Sequence, residues 1–187
     1  YWKKHNIEYD VFFSPVEEIP KFFRKKNTQN YTIIYDAIPL ILPEYNPASD
    51  KGSWFMKLVN SINKDDYYFA ISKATKSDFV KYCPNIDPDK IYITPLACSE
   101  NFKPNTSDIN NIKLKYNIPT DKKYVFSLCT LEPRKNLIRT VKTFIEFIKK
   151  NNIDDLVFVL GGGHWEMFIK TLENEISNLG EYKDKIV

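Results

Sequence analysis

The sequence predicts an α/β protein with mainly parallel sheets, and three observations carry that expectation. Short apolar runs alternate with amphipathic stretches along the whole chain, the pattern of repeated βαβ units. Tyr124–Gly163 holds one such unit in clear form. The stretch Leu96–Asp108 (LACSENFKPNTSD) has turn residues, one proline and no apolar period. It divides the chain, so two sheets are expected, each incomplete within these 187 residues. The expected division is 1–96, a linker at 97–108, and 109–187.

Tyr124–Cys129 is an almost unbroken apolar run and reads as a strand buried on both faces. A polar turn follows, Thr130-Leu131-Glu132-Pro133-Arg134-Lys135-Asn136. Leu137, Ile138, Val141, Phe144, Ile145 and Ile148 then mark one face of a helix. Leu156–Leu160 is a second strand and stops at Gly161, Gly162 and Gly163. The right-handed crossover rule makes the unit parallel. In such sheets ligands sit beyond the carboxyl ends of the strands. The Arg-Lys turn and the glycines both lie there.

In the first half, Tyr9–Ser14 reads as a strand closed by Pro15, and Tyr31–Tyr35 as a second. Between them, Glu17–Asn30 is polar and basic, a loop or short helix. Pro39 and Pro43 are expected to exclude regular structure after Asp36. Trp54, Phe55, Leu58, Val59 and Ile62 mark a helix face. Tyr67–Ile71 is a third strand. Ser72 is a fitting N-cap for a helix that stops before Pro84. Ile91–Thr94 is a short strand. Ile109–Tyr116 is a short helix, Trp165–Leu179 carries another helical stripe, and Asp184–Val187 looks like a strand beginning. Tyr1 opens the chain without an initiator Met, which reads as a piece of a longer protein.

Lys plus Arg number 27 against 24 for Asp plus Glu, a net charge of +3. That is too small an excess to argue for nucleic acid. Cys83, Cys98 and Cys129 are scattered and form no CxxC pair, and His5 and His164 have no metal-like spacing. A reducing cytoplasm is the simplest reading. No apolar run reaches a transmembrane length. No GxxxxGK[ST], GxGxxG or GxSxG occurs.

The chemistry concentrates at strand ends. Arg134 and Lys135 stand where a strand meets a helix, whose first N–H groups and dipole favour an anion. Arg offers a planar fork for phosphate oxygens and Lys a point charge. The alternative is a solvated turn whose charges pair with Glu132 or another carboxylate. Thr130, Gly162 and Gly163 could lie beside a ligand, or the glycines could serve only a strand–helix turn. Asp36 could be a general base or hydroxyl acceptor, or a turn former. Ser72 and Thr75 could line a cleft, or cap a helix. Ile19–Lys26 (IPKFFRKK) mixes aromatics with cations, as suits an anionic membrane surface or a solvated loop.

SLCTLEPRKN, the helix and LVFVLGGG together resemble the opening of the carboxyl-terminal domain of the group 1 retaining glycosyltransferases, which have the GT-B fold. YDVFFSP, YTIIYDAIPLILPEY, YYFAISKATKSDFVKY and IYITPLACSENFKP are similar in order and spacing to the same family's amino-terminal domain and link. The resemblance implies two Rossmann-like domains, with a nucleotide-sugar donor bound mainly by the second and an acceptor by the first. It implies that Arg134 and Lys135 contact the donor diphosphate, that Asp36 is catalytic, and that Ser72, Thr75, Thr130, Gly162 and Gly163 line the cleft. It implies no metal and no cofactor.

Two departures stand out. The family often has His-Asp where this chain has Tyr35-Asp36. Its later pair of glutamates falls beyond Val187, and Glu166, Glu173 and Glu175 are on the wrong helix to replace it. The chain alone is therefore expected to be inactive. The implied function is transfer of a sugar from a nucleoside diphosphate to a saccharide or lipid-linked acceptor, with retention, in bacterial surface polysaccharide synthesis such as capsule or lipopolysaccharide. The setting is cytoplasmic, with peripheral contact at the inner face of the plasma membrane. The alternatives are a non-catalytic module that binds glycan or oligomerises, and another phosphate-binding protein such as an epimerase of the same architecture.

Overall fold

The computed structural model describes residues 8–46, 49–104, 109–163 and 166–187. His5, His164 and Trp165 lie outside them. The chain forms two compact units, Tyr1–Phe102 and Lys103–Val187. Both are α/β with parallel, Rossmann-like sheets.

In the first unit, β1 (Val11–Ser14), β2 (Gln29–Ile34), β3 (Tyr67–Ala70) and β4 (Ile91–Ile93) lie side by side in that order, every neighbour parallel. Tyr31 stands opposite Tyr67, and Tyr68 opposite Ile91. Strand side chains alternate between faces, so one face of the sheet carries Ile34, Tyr68, Ala70 and Ile91. These pack with Phe55, Ile62, Phe79, Cys83 and Ile86 as the core. α2 (Trp54–Ser61) and α3 (Lys73–Tyr82) supply Phe55 and Phe79 to it. The opposite face carries Phe13, Tyr31, Tyr67, Phe69 and Tyr92. There Tyr31 stacks on Tyr67 and Phe69, with centroids 4.9 and 5.7 Å apart.

Two expectations need correction here. Pro39 and Pro43 do not exclude helix. Pro39 sits in the first turn of α1 (Ile38–Ile41), and Pro43 opens a 3₁₀ turn, Pro43–Tyr45. A first-turn N–H has no intrahelical partner, so proline loses nothing there. Trp54 does not share the buried face of α2. Phe55 and Leu58 take that stripe and leave Trp54 about half exposed. The Glu17–Asn30 stretch holds a short helix as expected, the 3₁₀ turn Lys21–Phe23, while β2 begins at Gln29, ahead of the expected Tyr31.

In the second unit, β5 (Lys123–Leu128) pairs in parallel with β6 (Leu156–Gly161). α4 (Ile109–Lys115) precedes them, α5 (Leu137–Asn151) connects them, and α6 (Glu166–Ser177) follows. α5 buries Leu137, Val141, Phe144, Ile145 and Ile148, the stripe predicted from spacing. The chain end begins a strand as expected: Ile186 bridges Phe158, and the Val187 N–H donates to Phe158 O at 2.9 Å. β6 is buried, with Val157 at 0% exposure.

β5 is not buried as its composition predicts. Phe126 is 54% and Leu128 73% exposed. Among the described residues β5 has one strand neighbour only, and α5 packs its Phe144 on Phe158 of β6 instead. An apolar run shows that a strand suits burial, but not that the surrounding chain supplies the cover. No helix among the described residues is long and apolar enough to cross a membrane.

Candidate functional site

β5 and β6 run parallel, so the loops leaving Leu128 and Gly161 emerge at one edge. They stay paired beyond the strands. The Cys129 N–H donates to Gly161 O at 3.0 Å, and the Leu131 N–H to Gly163 O at 2.7 Å. Gly162 has φ +135°, and a Cβ there would be driven into the Cys129 carbonyl oxygen. Glycine is thus required at this position by the backbone itself. Gly163 faces open space. The structure therefore brings together the glycines and the cationic turn, with exposed Thr130 between the pairing residues.

Pro133–Lys135 is a 3₁₀ turn, and Asn136 follows in the left-handed region at φ 54°. Asn136 begins α5 without a side-chain cap. The leading turn of a 15-residue helix is thus left without the side-chain acceptor that usually serves it. Lys135 is exposed and makes no ion pair among the described residues. Arg134 places Nε 2.6 Å from Oε1 of the buried Glu132. Neither atom is aligned for a hydrogen bond, so this is a charge contact rather than a fork. Pairing of the turn with a carboxylate, the alternative to anion binding, is thus present for Arg134.

In the first unit the polar residues are engaged by backbone. Oδ1 of Asp36 accepts the Ile38 N–H at 2.9 Å, a turn that opens α1. Asp36 is nonetheless exposed and lines a cavity of about 300 Å³ with Tyr35, Pro39, Trp54 and Phe55. Ser72 caps α3, accepting the Thr75 N–H at 3.0 Å. The Thr75 hydroxyl donates to the Tyr35 carbonyl at 2.8 Å and is buried. Thr75 accordingly holds the end of β2 against α3 rather than lining a surface, because the backbone carbonyl claims its one donor.

Sequence reasoning missed two residues. Trp54 lines the Asp36 cavity; its offset from the Phe55–Leu58 stripe was the available signal. Asp66 is buried at the amino end of β3. It receives both Arg24 Nη1 contacts, at 2.8 and 2.6 Å, and Asn30 Nδ2 at 3.1 Å. Partners 36 to 42 residues away leave no local pattern. Among the described residues, no group of three or more His, Cys, Asp or Glu is placed to hold a metal ion.

Neither a family model nor a curated protein sequence matches this chain. Solved structures do match its fold. HepE of Anabaena in complex with UDP superposes with a TM-score of 0.58 at 16% identity, over 85% of this chain and 41% of HepE. HepE with UDP and glucose gives 0.61 at 16% identity, over 86% and 41%. The chain is similar in fold to part of HepE. It spans about two-fifths of HepE's length.

Proposed function

We propose that this chain is part of a GT-B glycosyltransferase that moves a sugar from a nucleoside diphosphate to a saccharide or lipid-linked acceptor, with retention. The observation that carries the reading is the cationic turn of the second unit. It stands at the carboxyl edge of a parallel βαβ unit, beside glycines and an uncapped helix start. The likeness to HepE, solved with UDP and glucose, supports it.

In this reading Glu132 is a positioning residue. It holds the Nε edge of Arg134 and leaves both Nη groups, which have no hydrogen-bond partner among the described residues, for phosphate oxygens. Lys135 adds a point charge, and the N–H groups opening α5 add their dipole. As the bond from the anomeric carbon to the diphosphate oxygen breaks, these groups stabilise the charge on the leaving diphosphate. The acceptor hydroxyl oxygen forms the new bond to that carbon, and its proton passes to the leaving diphosphate. The positive groups make a metal unnecessary, and no cofactor is needed. Asp36 keeps one carboxylate oxygen beyond its turn bond and is assigned to the acceptor's hydroxyl chemistry. Thr130, Gly162 and Gly163 lie beside the donor; Ser72 caps α3, and Thr75 fixes the end of β2. Bacterial surface polysaccharide synthesis at the cytoplasmic side of the membrane is the proposed setting.

A second reading has a specific observation behind it. Arg134 is already neutralised by Glu132, and Tyr35 stands where the family often has His. Both favour a non-catalytic module that binds glycan or oligomerises.

The test is a titration of the full-length protein with UDP-, GDP- and dTDP-sugars, repeated with Arg134→Ala and Lys135→Ala. Each charge-assisted phosphate contact is worth about 1.5–3 kcal/mol, so the double variant should weaken the donor about a hundredfold or more. Binding that ignores both substitutions, or no binding of any nucleotide sugar, makes the turn structural and favours the module.

A further inference from the structure

The first unit contains a larger cavity, about 980 Å³, than the one at Asp36. Its walls come from Glu18–Arg24, the end of α2 through Lys64, and Pro84–Ile86. Each of those segments precedes a strand: β2, β3 and β4 in turn. The cavity therefore sits at the amino ends of the strands, the opposite edge from Asp36 and Ser72, and does not depend on the donor reading.

Its charge is one-sided. Lys21, Lys57 and Lys64 line it, and none of the three makes an ion pair among the described residues. Arg24 lines it too, but its charge is answered by buried Asp66, and its Nη2 donates to Ser61 O at 3.1 Å. That last bond covers a carbonyl at the negative end of α2, which would otherwise repel an anion. Lys21 opens the 3₁₀ turn and Arg24 ends it as its C-cap, and both line the cavity. Glu18 is the one exposed acid in the lining, against three exposed lysines. Asn63 and Asn85 add amide donors. Three ammonium groups without an ion pair around a concave surface concentrate anions.

We infer that this cavity binds a phosphate-bearing ligand. Two sources share that chemistry, a phospholipid head group and a soluble phosphate ester. Phe22, half exposed between Lys21 and Phe23, offers an apolar contact beside the cavity wall, as a lipid surface would use.

The test uses the full-length protein and two probes. The first is sedimentation with phosphatidylcholine vesicles, with and without phosphatidylglycerol. The second is glycerol phosphate, followed by the amide NMR signals of Asn63 and Asn85. The variant is Lys21→Gln/Lys57→Gln/Lys64→Gln, whose side chains are exposed and make no ion pair among the described residues. Lys150→Gln/Lys170→Gln/Lys183→Gln, three exposed lysines of the second unit, is the charge-matched control. Binding should weaken about tenfold or more in the triple variant, fall with salt, and be unchanged in the control. Vesicle binding that needs phosphatidylglycerol and falls in Phe22→Ala identifies a head group. A response to glycerol phosphate without vesicle preference identifies a soluble ester. Failure of both probes, or equal binding by the triple variant and the wild type, overturns the inference.

Discussion

Two Arg–carboxylate pairs in this protein look alike in composition and exposure, yet differ in what they leave free. Arg24–Asp66 and Arg134–Glu132 each join an arginine side chain 22% exposed to a buried carboxylate, at 2.6 Å. In the first, Asp66 takes two contacts from Arg24 and one from Asn30, and Arg24 also serves the end of α2. Both Nη groups of Arg24 and the Nδ2 of Asn30 are engaged there, with Oδ1 of Asn30 the one buried atom of the network without a hydrogen-bond partner among the described residues, and the pair ties the Lys21–Phe23 turn to the start of β3. In the second, one nitrogen edge meets one oxygen, out of line. The Nη fork remains open at the carboxyl edge of the sheet. The lesson is that a buried ion pair is structural or available according to how many of its donors the protein itself satisfies.

The largest expected effect that would break this comparison is on stability. Asp66→Ala leaves Arg24 and Asn30 without their acceptor in a mostly buried place. It should cost about 3 kcal/mol in a denaturant titration, at the low end for buried pairs because Arg24 can reach some water. Glu132→Gln should cost about 1 kcal/mol or less, since an amide oxygen can still meet Arg134. The same variant should weaken nucleotide-sugar binding about tenfold by loosening the guanidinium. If Glu132→Gln costs as much stability as Asp66→Ala, Arg134 is a structural residue and the comparison fails.

A middle case sharpens it. Ser72→Ala removes the cap of α3 and should cost about 1 kcal/mol with little change in donor affinity, because Ser72 serves its own helix. Donor affinity that falls with Ser72→Ala would show that the first unit's strand ends are not merely scaffold.

The smallest effect belongs to an exposed pair, Lys123–Asp155, 3.0 Å apart. Hydrogen bonding and charge from Lys123 hold the Asp155 carboxyl below its ordinary range. A lowered carboxylate stabilises the fold above its unfolded value and loses that contribution as pH falls through the folded one. Solvent screens this pair, so Asp155→Asn should change stability least of the three carboxylate variants. An NMR titration of Asp155 that returns to the ordinary range in Lys123→Ala would check the cause. Stability that drops as far as in Asp66→Ala would overturn the ranking by burial.

Much of the fold was legible in the sequence because it is local. The stripe from Leu137 to Ile148 has helical spacing, and α5 follows it. Ser72 before a helical run reads as a cap and is one. The short apolar runs at Tyr67 and Leu156 read as strands, and they pair in parallel as the crossover rule requires. Arg134, Lys135 and the glycines could be placed at one edge from connectivity alone.

What only the tertiary structure decided depends on distance along the chain. Asp66 finds Arg24 and Asn30 across 42 and 36 residues, and no spacing announces that. Thr75 turns from a candidate ligand contact into a clamp because the Tyr35 carbonyl, 40 residues earlier, folds against it. Gly162 is fixed by the approach of Cys129 from a neighbouring strand end. The apolar run of β5 was readable, but its exposure was not, since burial is a property of neighbours rather than of composition. Local sequence sets which backbone shapes and faces are favourable. The fold then sets which polar groups satisfy one another, and so which are left to meet a ligand.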